Sequence, residues 1–197
     1  MTLRALVDSF STEENLPISV DSVLSWIKDN TDHKIISLHE VKRSSPAYRG
    51  AFRRTAVPIG GMYSGEFEIY TDILYGADLS MDWKRLVIVK EALHVFDDAG
   101  ACVRSSEQLM ALVPAVLSAE IRSLPDFPAA ALNDRLGVFK AMAVLVPEGA
   151  RAKLARSVEE GSRTVDEVAT YLRLPPVHVD LWLRFGEEMG RLIRELA

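Results

Sequence analysis

Apolar residues recur at helical spacing across residues 82–98, where Leu86, Val89, Leu93 and Phe96 make one stripe. On the neighbouring stripe Lys90, His94, Asp97 and Asp98 fall one turn apart, so a cation, an imidazole and two carboxylates share a face. Ser80 is placed to cap this helix, with Trp83 three residues on. Upstream, residues 1–31 read as two helices parted at Pro17, the second capped by Asp21 and carrying Val23, Leu24 and Ile27 at helical spacing. Residues 34–39 are rich in β-branched side chains and predict a strand. Residues 65–72 alternate apolar with polar, as a half-buried strand does.

Between these strands runs a basic stretch, residues 42–54, with Tyr48 and Phe52 among Lys42, Arg43, Arg49, Arg53 and Arg54. It reads either as a solvated loop or as a loop gripping phosphates or an acidic peptide, with Arg49, Arg53 and Arg54 as the binding cations. Residues 105–116 predict a helix kinked at Pro114, followed by a break at 124–128. Residues 129–146 form a long apolar helix ending at Pro147, buried against the central one. Thr164 and Glu167 make a capping box, and a turn at 173–176 leads into a final helix through Val179, Leu183, Met189 and Ile193. Strands leading directly into a helix of charged groups, with helices after it, predict an α+β fold.

At 197 residues, with 48% hydrophobic and 26% charged positions, the chain suits one compact domain with a small appendage. A net charge of −5 argues against a chain wrapped in nucleic acid. Cys102 stands alone, which excludes an internal disulfide and fits a reducing cytoplasm. The N-terminus lacks a basic region followed by an apolar run, and no segment reaches the ~18 apolar residues of a membrane span. The expectation is a cytoplasmic protein with no membrane partner.

The chemistry concentrates in Lys90-Glu91-Ala92-Leu93-His94, one substitution from H-E-x-x-H, in which two histidines one turn apart bind zinc and the glutamate polarises a water. A lysine ammonium at the first ligand position repels a divalent cation from the place that needs a neutral imidazole. Such an ammonium can instead fold into the metal's space and pair with Glu91 or Asp134, leaving the fold intact without zinc.

These residues, together with Asp134-Arg135-Leu136 leading to Pro147 and the helical tail from Thr164 to Leu183, give the chain a resemblance to the ImmA/IrrE family of zinc metallopeptidases, which cleave regulatory repressor proteins in bacteria and phages. The resemblance covers roughly residues 55 to 185 and implies a zincin-like domain over 1–150, mainly helical with a small sheet ahead of the motif helix. A helix-turn-helix-like segment over 151–197 would follow. It implies Glu91 as general base, His94 as second zinc ligand and Asp134 as the third, acidic ligand. The chain departs from the family at Lys90, and at Leu136, which replaces a second acid.

Three functions follow. The first is a metal-free pseudo-metallopeptidase acting as a regulatory protein-binding module, with no cofactor and a peptide segment held along the sheet edge and cleft. The second is an active metallopeptidase using a rearranged zinc site around His94, Asp98 and Asp134, or Lys90 with Glu91 as acid and base. The third is a DNA-binding regulator using the C-terminal helices; the head of its last helix, Pro175 to Leu181, holds no arginine or lysine, which disfavours duplex DNA.

Overall fold

The structure, a computed structural model, describes residues 1–42, 49–60, 65–97 and 129–196, and within these the side chains of residues 129–135 and 196 lie outside the description. The fold is α+β. Two N-terminal helices, α1 (Leu3–Phe10) and α2 (Val20–Asn30), precede three strands, β1 (Ile35–Val41), β2 (Gly50–Ile59) and β3 (Glu66–Gly76). The central helix α3 (Met81–Ala92) tightens into a single 3-10 turn, Leu93–Phe96. Four more helices follow among the described residues: α4 (Ala129–Leu145), α5 (Glu148–Glu159), α6 (Val165–Leu172) and α7 (Pro176–Leu196).

The caps explain several boundaries. Ser80 accepts a hydrogen bond from the backbone N–H of Trp83, as expected from the sequence. Thr164 and Glu167 make a reciprocal capping box at the head of α6. At α2 the cap is Ser19 rather than Asp21; Asp21 sits in the first turn, where a negative charge suits the helix dipole.

The sheet has the order β1-β3-β2, with β1 parallel and β2 antiparallel to β3. β2 corrects the expectation of a loop through residue 54. Residues 50–59 pair with 66–75 along an unbroken register, so cross-strand hydrogen bonding overrides the local turn signal of Gly50 and the two arginines. Gly50, Phe52 and Arg54 thereby fall on one face of the strand, and Ala51 and Arg53 on the other.

Beneath the sheet, α3 is buried over most of its circumference, with Leu86, Val87, Ile88, Val89, Ala92 and Leu93 all in the core. A helix apolar nearly all round needs neighbours on every side. It packs against α2, α4, β2 and β3. In α4 and just beyond it, Ala141 to Val146 are buried without a break, so this stretch is covered on all faces. Helix α5, which the sequence left unread because its apolar residues are few, is held by Arg151; its guanidinium pairs with Glu148 and donates to the carbonyl of Leu183 in α7 at 2.9 Å. Side chains from both 1–150 and 151–197 enter one continuous hydrophobic core, from Leu3 to Ile193. Among the described residues no helix is long and apolar enough to cross a membrane.

Trp182 anchors α7: it is almost fully buried, and its indole N–H donates to the carbonyl of Val146 at 3.0 Å. Replacing Trp182 by alanine should lower stability by about 3–5 kcal/mol in chemical denaturation, because a large cavity and an orphaned carbonyl remain. Val177→Ala, on an exposed position of the same helix, should stay within about 0.5 kcal/mol.

Candidate functional site

At its C-terminal end α3 carries a chain of charged side chains into the interior. Lys90 Nζ donates to Glu91 Oε1 at 2.9 Å, and both side chains are largely buried, Glu91 at 4% exposure. The second oxygen of Glu91 faces His94 Nε2 at 3.5 Å. On the far side of the ring, His94 Nδ1 meets Asp97 Oδ2 at 2.6 Å, and the other oxygen of Asp97 accepts from Lys140 of α4 at 3.3 Å. Two ammonium groups and two carboxylates thus alternate through an imidazole, which is how charge persists in a low-dielectric interior.

Local sequence explains part of this arrangement. Lys90, Glu91 and His94 share the end of one helix, and the tightening at Leu93 brings Asp97 back onto the ring of His94. The rest is tertiary. Gly50 of β2 approaches α3 so closely that a Cβ there would lie 2.5 Å from Val87 Cγ1 and 2.9 Å from Glu91 Oε1. Phe52, two residues on, covers His94 with ring centroids 5.8 Å apart. Gly137 of α4 leaves room for the aliphatic stem of Lys90, whose Cγ would stand 3.1 Å from a Cβ at that position. Sequence reading found neither Lys140 nor these β2 contacts, since the stretch through residue 54 reads as a loop.

Burial alone would raise the carboxyl of Asp97, but the hydrogen bond and charge of His94 and the ammonium of Lys140 outweigh it and hold the group below its ordinary value. Asp97 therefore stays ionised, and with Nδ1 of His94 donating to it, Nε2 is the ring atom left to face Glu91.

A zinc-binding histidine needs the same two things: a carboxylate on one ring nitrogen and an open lone pair on the other. His94 has the first. Its second nitrogen points at a carboxylate that already carries the Lys90 ammonium. Among the described residues, no group of three or more histidine, cysteine, aspartate or glutamate side chains is arranged to hold a metal ion. The described donors there do not by themselves supply the three protein ligands and open position of a zinc centre. Asp134 lies in α4 with its side chain outside the description, and Asp98 lies outside the described residues, as do Cys102, Tyr48 and the stretch 105–128.

The three arginines proposed from sequence as binding residues do not act together. Arg49 stacks its guanidinium 3.5 Å above the ring of Trp83, whose edge meets His178 of α7, so it ties β2 to two helices. Arg53 pairs with Asp72 at 2.6 Å on the outer face of the sheet, where His39 shares the same carboxylate. Only Arg54 turns to the inner side, beside a cavity next to the charged chain.

Two outcomes test this geometry. Gly50→Ala should destabilise the fold by about 1–3 kcal/mol in urea titration, since backbone, Val87 or Glu91 must shift to admit the methyl group. For Asp97 the folded pKa lies below the unfolded one, so its contribution to stability is complete above the unfolded value of about 3.9 and is lost as pH falls through the lower folded value. The stability gap between the wild type and Asp97→Asn should therefore narrow as pH falls through the acid range and close below about pH 4.

Compared with known proteins, the chain matches no family model, no curated protein and no solved structure.

Proposed function

We propose that this protein is a metal-free relative of the ImmA/IrrE metallopeptidases, a regulatory module that holds an extended segment of another protein without cleaving it. In this reading the α+β body is zincin-like, and α6 and α7 are a helix-turn-helix-like tail used for packing. The observation that carries it is the pairing of Lys90 with Glu91 at 2.9 Å in a buried setting. At the motif's first ligand position stands a cation, and that cation is bound to the very carboxylate that would activate water. An ammonium in this position opposes a divalent ion and engages the general base at the same time.

The segment has a natural place to bind. β2 is an edge strand, and its residues from Arg53 to Ile59 are exposed. No described strand borders its outer edge, and in this reading the segment adds there along Arg53 to Val57, with alternate side chains reaching toward the site or toward solvent. Packing rather than DNA reading suits the tail, because His178 at the head of α7 is engaged with Trp83 and Arg184 is paired with Asp180.

Metal content decides the central point. Protein purified without added zinc should hold far less than one zinc per chain, and Lys90→His should raise zinc affinity by at least about tenfold by restoring imidazoles at i and i+4. One tightly held zinc per unmodified chain, with His94 as a ligand, would overturn the reading.

A further inference from the structure

Under β2, next to the charged chain, lies a cavity of about 400 Å³ lined by Asp29, Asp32, His33, Lys34, Arg54 and Val95, among others. Its floor is His33, which is 4% exposed. Nδ1 of that ring is 2.6 Å from the Thr71 hydroxyl. Nε2 has no hydrogen bond among the described residues, and the ring is part of the cavity's lining. Arg54, on the wall, makes no hydrogen bond or ion pair among the described residues. The other nearby cation, Lys34, is spent on the carbonyls of Lys28 and Asp29 at the end of α2. The rings of His33, Phe52 and His94 form a row with centroids 6.2 and 5.8 Å apart, which places this cavity directly beside the candidate site.

We infer that this cavity is a carboxylate-binding subsite, in which Arg54 and His33 Nε2 hold an acidic side chain of the segment that adds along β2. The inference rests on the segment-binding reading for the source of the carboxylate, and on the cavity alone for its chemistry. A planar carboxylate matches the fork of a guanidinium and leaves an oxygen for one further N–H donor. Thr71 can donate as well as accept, so its hydroxyl can bond the bare Nδ1 and leave the proton of neutral His33 on Nε2, aimed at the ligand. Two exposed aspartates at the mouth, Asp29 and Asp32, select against a doubly charged phosphate more strongly than against a singly charged group. Burial, and after it the charge of Arg54, keep the His33 imidazole below its ordinary pKa, so the floor is neutral and the guanidinium supplies the charge.

The test follows His33 Nε2 and Arg54 Nε by nitrogen NMR during titration with sodium acetate and, separately, inorganic phosphate. Short end-blocked peptides Thr-Val-Glu-Val-Thr and Thr-Val-Gln-Val-Thr are then compared. Acetate should move both signals in a saturable way, more tightly than phosphate, and Arg54→Gln, at an exposed position, should abolish the response of His33. The Glu peptide should bind about tenfold more tightly than the Gln peptide, and the difference should vanish in Arg54→Gln. A saturable acetate response with no peptide binding would uphold the subsite, assign it to a free small carboxylate and refute the segment-binding reading. No acetate response with equal binding of both peptides would refute the subsite and leave segment binding standing. Preference for phosphate, or a His33 response that survives Arg54→Gln, would also overturn the inference.

Discussion

The pairing of Lys90 with Glu91 is the interaction on which the rest of the site depends. A single carboxylate left alone at the burial of Glu91 would cost several kcal/mol, and so would a lone ammonium. Their contact at 2.9 Å cancels most of that cost, and the remaining valences are met by His94, Asp97 and Lys140 in turn. No member can change its charge without disturbing the next. Acids and bases alternate along the cluster, and this pairing lets α3 run through the core with a charged tip.

The sheet is fitted to that tip. A residue with a side chain at position 50 would keep β2 away from Glu91, and the glycine allows strand and helix to approach within contact of one another. Phe52 then covers His94, and Arg54 comes to lie over the cavity floored by His33. Three alternate residues of a single strand therefore meet the buried acid, the imidazole and the cavity in succession. The opposite face of the strand is used differently: Arg53 is neutralised by Asp72 and joins in holding the sheet together.

Sequence periodicity foretold the helices that bury a stripe and the caps that start them, because both depend on residues a few positions apart. Ser80, Thr164 and Glu167 behave as their spacing requires. It failed over residues 50–54 of β2, where two arginines and a glycine look like a loop until β3 supplies a partner strand, and at α5, whose apolar residues are too few to make a pattern. In the site, Lys90, Glu91, His94 and Asp97 were visible together since one helix end carries them all. Lys140, Gly50, Phe52 and His33 were not, because they reach the site from elements distant in sequence. The dispersal of Arg49, Arg53 and Arg54 follows from strand alternation, which the loop reading had hidden.

Gly137 makes room for the lysine. The stem of Lys90 lies along α4 where a methyl group would crowd it, so the spacing between these two helices is matched to a linear, flexible side chain on one and nothing on the other. An imidazole at position 90 would fill that channel differently, with a shorter, flatter group and a gap where the methylenes had been. Positions 90 and 137 are coupled through this contact, so a change at either one is felt in the packing of the other.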